Sequence, residues 1–313
     1  MATPPSVSLP DTILGGHIKG FITLKRRSWR PKTLQNYTNI LSRFADYIGP
    51  AWPVTAGQVM GWIDSTAGGE VTVRTYYTHL RAFFNFLEQL EIIEANRNPT
   101  RQIAQLRLLP PRPHLPPVAL SRAEVERLLA QLRRAAAAGE GRELRDLALV
   151  HFALVTGCRA GEVAALRWEQ LRLAELAAEV AAETAKTRRG RVVYFNLAVK
   201  GDLWAWQRYL AEGGHRPAHV FPAWRWGRPG PGLTASGVSQ LFKRRARAAG
   251  LPRAYFHALR HTSALLALEA GVSLDKVRDQ LGHADIATTS VYLRGRDEAR
   301  ARAYRGLTTD DGR

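Results

Sequence analysis

The chain has 313 residues, 45% of them hydrophobic and 8 of them Trp, enough to bury sizeable cores in about two domains. Its 45 Lys and Arg stand against 27 Asp and Glu, a net charge of +18; that balance favours a polyanionic partner bound in a salt-sensitive way, though it also serves solubility. One cysteine, Cys158, excludes an internal disulfide framework and a multi-cysteine metal site.

Met1–Pro10 has neither a basic start nor an apolar core, so no secretory leader is expected. The chain has no apolar run of membrane-spanning length, and a cytoplasmic protein that does not engage a membrane is expected. Residues 1–12 carry several prolines and read as a flexible arm. From Ile13 the pattern turns helical. Leu34, Tyr37, Ile40, Leu41, Phe44 and Ile48 share one face of a helix that starts after Pro31 and stops at Gly49-Pro50. A helix is expected near Ala56–Ser65, and another over Val71–Leu90, with Tyr77, Leu80, Phe84 and Leu87 at helical spacing. Residues 13–106 therefore read as an all-helical domain with aromatic cores. Its Arg74 and Arg81 suit phosphates or a solvated face equally.

Leu108–Pro117 holds five prolines in ten residues. That density cannot sustain a helix and favours an extended spacer, so 107–120 is read as a linker and 121–313 as a second domain. Ser121 and Glu124 have capping-box spacing. Helices are expected over 121–135 and 142–156, then a turn at Gly157 into another helix. Residues 171–185 look helical by propensity, whereas Thr187-Arg-Arg-Gly-Arg before Val192-Val-Tyr-Phe reads as a turn and a strand. Further helices are expected over 197–211, 235–249, 256–270, 274–281, 285–293 and 296–305.

Several side chains carry chemistry. A guanidinium presents a planar fork of donors and keeps its charge, which suits a phosphorane whose oxygens gain negative charge. Arg159, after the Gly157 turn, and Arg260 are candidates, though an arginine in so basic a chain is usually a surface residue. Glu162, three residues on, can orient Arg159. His257 and Arg260 share a helical face, and His261 lies one turn beyond His257. The His pair also has zinc spacing, but Ala258 stands where a metalloprotease needs Glu and no carboxylate or thiolate set follows. No metal and no cofactor is expected, and no phosphate-binding Gly-Lys-Ser/Thr loop indicates ATP. Tyr292 can serve as a nucleophile if a base and an electropositive site activate its phenol; alone it would read as packing. Lys186 can reach a leaving oxygen from its turn, or merely belong to a basic run with Arg188, Arg189 and Arg191. Cys158 reads as a small buried hydrophobe.

In this order the pieces resemble the tyrosine recombinase (phage integrase) family, with Xer-type enzymes nearest in layout. Thr156-Gly-Cys-Arg159-x-x-Glu162-x-x-x-Leu166 is similar to the first family box. His257-x-Leu-Arg260-His261, Leu281-Gly-His283 and Tyr292 are similar to the second. Lys186 corresponds to the family's hairpin lysine, with Ala-Glu-Thr-Ala before it where a Gly-Lys-Gly turn is usual. The resemblance implies a mainly α fold with a small antiparallel sheet across about 168–196, and a two-domain chain with an all-helical core-binding domain and a mixed α/β catalytic domain. It implies that Tyr292 attacks the scissile phosphate to give a 3′-phosphotyrosine, that Arg159 and Arg260 stabilise the transition state, and that His257 assists proton transfer. His283 would hydrogen-bond the phosphate and Lys186 would protonate the 5′-oxygen, with Glu162 and His261 supporting them.

The implied partners are double-stranded DNA and sister protomers, forming a tetramer on synapsed sites that passes through a Holliday junction. A partner recombinase or an activator stays open, as does the choice between chromosome or plasmid resolution and mobile-element integration. A nucleoid-associated cytoplasmic enzyme without a separate arm-binding domain is expected. A type IB-like topoisomerase, and a non-enzymatic DNA-binding protein that kept the fold, remain the alternatives.

Overall fold

The computed structural model describes residues 9–110, 119–181 and 190–282, and divides into two compact units, Met1–Leu115 and Pro116–Arg313. It is mainly helical with small antiparallel sheets, as expected. Among the described residues no helix is long and apolar enough to cross a membrane.

The first unit is built from α1 (Ile13–Lys25), α2 (Pro31–Ile48), α3 (Ala56–Thr66), α4 (Glu70–Gln89) and α5 (Pro99–Gln105). Local signals set the ends. Pro31 occupies the first turn of α2, where its missing N–H costs nothing, and Gly49 ends the helix at φ 62°. Thr55 and Gln58 form a reciprocal capping box at α3. The apolar faces meet in a core of Phe21, Phe44, Trp62, Phe83, Phe84 and neighbouring aliphatics. Phe21 packs edge-on against Phe83 and Trp29, and Phe44 against Trp62 and Phe84, the geometry aromatic quadrupoles prefer. α5 was not expected from the sequence. It starts at Asn98, whose buried side chain caps Thr100 N at 3.0 Å and donates to Glu88 and Asn85.

In the second unit, α6 (Arg122–Ala136) begins at the Ser121–Glu124 capping box. α7 (Gly141–Thr156) is buried on nearly all sides and packs against α6, α9 (Leu197–Glu212) and α11 (Phe256–Glu269). Between them run α8 (Ala160–Ala165), β1 (Leu171–Arg172), β2 (Ala177–Val180) and β3 (Arg191–Tyr194). The antiparallel order is β1-β2-β3, with Val180 opposite Arg191 and Ala177 opposite Tyr194. Helix propensity loses here because Ala178, Val180 and Val193 bury one face of the sheet in the core.

A second hairpin, β4 (Pro222–Arg225) and β5 (Arg228–Gly232), was not expected. It turns at Trp226 and Gly227, both at positive φ, and Trp224 roots it against Trp206 and Tyr209. The unit continues with α10 (Ala235–Ala248), α11 and α12 (Leu274–Leu281). The helices expected over 285–293 and 296–305 lie outside the described residues.

Candidate active site

The site begins where α7 stops. Gly157 takes φ 66°, a left-handed conformation that ends α7 and turns the chain into α8. A Cβ there would stand 2.3 Å from Leu281 Cδ2, so the turn accepts only glycine for two reasons, conformation and the close approach of α12. Two residues later Arg159 caps α8. Its main-chain N donates to Glu162 Oε2 at 2.8 Å and its Nη1 to Glu162 Oε1 at 3.0 Å.

Glu162 is buried, and Arg191 reaches it from β3, with Nη1 and Nη2 at 3.1 and 2.9 Å from its two oxygens. Burial by itself would raise the Glu162 pKa. The hydrogen bonds and charge of Arg191, and then the N–H and charge of Arg159, override it and hold the carboxyl below its ordinary value. Arg191 was read from sequence as one of a basic run, but strand alternation puts it on the face of buried Val193. That alternation is the signal by which the sequence marks it.

Arg260 projects from α11 and is 1% exposed. Its Nη1 donates to Gly157 O at 2.8 Å and its Nη2 to Leu281 O at 2.7 Å, which joins the α7–α8 turn to the last residue of α12. Ser263 Oγ, on the same helix, donates to Val155 O at 3.0 Å. Arg159 and Arg260, 101 residues apart in sequence, thus converge on one turn.

On the same helix as Arg260, His257 is exposed and its ring lies 4.7 Å from that of His261, edge to face. Burial, then the neighbouring charges of His257 and Arg260, lower the His261 pKa to about 4, so this ring is neutral at neutral pH. Burial and the Glu162 carboxylate push the Cys158 thiol up to about 11; it stays protonated and is no nucleophile.

Chemically the described part of the site can bind and polarise an anion. Arg159 keeps 23% of its side chain exposed, while its carboxylate partner is sealed beneath it. Among the described residues no group of His, Cys, Asp and Glu is placed to hold a metal. Lys186, His283 and Tyr292 lie outside the described residues. Lys186 belongs to the segment that joins β2 to β3, and His283 follows Gly282, the residue that caps α12.

Comparison with known proteins places these residues in a family. Residues 119–299 match the model of the phage integrase family, more than half of the chain, and the chain belongs to that family. "Tyrosine recombinase XerD" of Ralstonia nicotianae is 34% identical over 222 residues, 69% of this chain and 66% of that protein. "Tyrosine recombinase XerC" of Xanthomonas campestris pv. campestris is 35% identical over 150 residues, 48% of this chain. That match covers 44% of the XerC protein, so the chain spans under half the length of this relative.

Two solved structures share the fold. A lambda integrase dimer bound to a COC′ core site aligns with TM-score 0.70 at 20% identity, over 89% of this chain and 94% of that one. The Tn1549 transposon integrase in complex with transposon right end DNA aligns with TM-score 0.71 at 18% identity, over 93% of this chain and 99% of that one.

Proposed function

We propose that the chain is a site-specific DNA recombinase that cuts and rejoins strands through a covalent tyrosine intermediate. The observation that carries this reading is the convergence of Arg159 and Arg260 on the Gly157 turn, within a segment that matches the phage integrase family. Two guanidiniums near one turn suit a phosphodiester whose non-bridging oxygens gain charge as a fifth ligand arrives. Double-stranded DNA is the proposed partner, consistent with the net charge of +18 and with the DNA-bound structures that share the fold.

In the proposed reaction the Tyr292 phenolic oxygen attacks the scissile phosphorus, with His257 assisting removal of its proton. The bond from phosphorus to the 5′-oxygen breaks, and Lys186 supplies a proton to that oxygen. His283 hydrogen-bonds the phosphate, while Glu162 holds Arg159 and His261 supports the imidazole pair. The phosphotyrosine conserves the energy of the broken ester, so a 5′-hydroxyl from another strand can reverse the step without ATP. Exchange between four protomers on two synapsed sites, through a Holliday junction, completes the proposal. The helical first unit is proposed to contact DNA as well.

Genomic fragments carrying random nicks provide the test. A nick beside the cut site lets the short 5′-hydroxyl strand leave and traps the adduct. Wild-type protein is expected to yield a covalent DNA complex resistant to denaturant, with Tyr292→Phe yielding none. Absence of adduct from the wild type, at any fragment, would sink the reading. Relaxation of supercoils without reciprocal recombinants between two captured sites would indicate a topoisomerase instead.

A further inference from the structure

Arg191 opens β3 beside a basic run, yet its side chain is only 10% exposed. Its partners lie on two different elements. Nη1 and Nη2 grip both oxygens of Glu162, and Nε donates to the main-chain oxygen of Gln280 at 2.9 Å. Glu162 in turn holds the main chain and guanidinium of Arg159. One buried carboxylate therefore joins two arginines, and the deeper arginine also holds the last turn of α12.

The fit around that turn is close. Gly282 caps α12 at φ 67°, and a Cβ there would lie 2.8 Å from Arg191 Cδ and 3.0 Å from its Nε. The Gln280 side chain adds a second tie, accepting from Tyr194 N at 3.0 Å and donating to Tyr194 O at 2.8 Å. His283 is the next residue after Gly282 in the sequence. Stability alone is a weak account of such a site, because a buried ion pair seldom outperforms an apolar replacement.

We infer that Arg191 is a positioning residue for the proposed strand cleavage. Through Glu162 it sets the direction of the Arg159 guanidinium, and through Gln280 it sets the point from which the chain departs toward His283 and Tyr292. The inference rests on the proposed function. A clamp on a reacting phosphate is sensitive to placement, and a displacement of about 1 Å can cost on the order of 100-fold in rate. Lysine cannot replace this group, because one ammonium lacks the planar fork that serves a carboxylate and a carbonyl together.

The test uses the full chain and a nicked duplex captured by the wild type. Three quantities are measured: the rate of adduct formation at saturating duplex, duplex affinity, and melting temperature. Arg191→Ala is expected to lower the adduct rate about 100-fold while duplex affinity stays near wild type. Arg191→Lys keeps the charge and is expected to recover less than about a tenth of the rate. Gly282→Ala, which removes no charge but crowds Arg191, is expected to lower the rate in the same way. A wild-type rate for Arg191→Lys overturns the inference, as does a rate loss matched by lost affinity or by the unfolded fraction. If Arg191→Ala does not fold, the Lys and Gly282→Ala variants decide. A wild type that forms no adduct overturns the proposed function and this inference with it, whereas adduct at equal rate from wild type and Arg191→Lys overturns this inference alone.

Discussion

In the first unit, the buried polar cluster around Asn98 closes nearby in sequence: Asn98 is bonded to Thr100, Glu88 and Asn85, and Tyr77 to Thr100, all within 23 residues. In the second unit the buried charges reach much further. Arg191 meets Glu162 across 29 residues, Arg145 meets Pro222 across 77, Arg245 meets Asp146 across 99, and Arg260 meets Gly157 across 103. The first pattern completes itself once α4 and α5 pack together. The second satisfies its charges only when β3, α7, α10, α11 and α12 have all docked. A charge network built this way exists only in the finished fold, and damage to one charge strands another far away in the chain.

The largest expected effect tests that last statement. Glu162→Ala leaves Arg159 and Arg191 without their shared carboxylate, and removal of one partner from a buried pair costs about 3–5 kcal/mol. Urea denaturation of the second unit is the measurement; a cost under about 1 kcal/mol would mean that the two guanidiniums find water instead. Gly157→Ala follows, at about 2–4 kcal/mol, from the left-handed φ and the overlap with Leu281. Its loss is expected in the second unit's thermal transition. Asn98→Ala strips partners from Thr100, Glu88 and Asn85 and is expected to cost about 1–3 kcal/mol, confined to the first unit. Equal loss in both units' transitions would break the contrast between them.

The last effect is the dependence on pH. The folded pKa of His261, about 4, lies below the ordinary histidine value of 6.5, so the unfolded chain takes up the proton first. Stability is therefore full above about pH 6.5 and falls as acid is added towards pH 4. Glu162, also lowered, adds a further loss below its ordinary value of 4.5. His261→Gln is expected to flatten the upper part of this acid limb and leave the lower part. An unchanged profile between pH 6.5 and 4 would contradict the assigned burial.

What the sequence disclosed follows the same division. Pro31, the Ser121–Glu124 capping box and Gly157 act on their own turns, so the helices they bound could be read without tertiary information. The strand at 191–194 could be read from Val192-Val-Tyr-Phe, but those within 171–180 could not be read from propensity; family resemblance indicated them, and the buried Ala178, Val180 and Val193 explain the sheet. The α5 helix escaped because seven residues carry little periodicity, although Asn98-Pro99 is a recognisable start. The β4–β5 hairpin escaped because Arg-Pro-Gly-Pro-Gly holds no strand former. Its first residue also takes a distant donor, Arg145 Nη1 to Pro222 O. In the site, motif spacing marked Arg159, Glu162 and Arg260, each beside a diagnostic neighbour. Arg191 was passed over because adjacent arginines hid the one that strand alternation turns inward.

Strand β3 forms one edge of its sheet, and at Tyr194 the place of a further strand is taken by a single side chain, the Gln280 amide. An amide offers the same donor and acceptor as a peptide group, so this one residue stands in for a neighbouring backbone. The Tyr194 N–H is then a built-in gauge. Its exchange with deuterated water is expected to proceed when α12 lifts from the sheet, and it will record how often that helix comes loose.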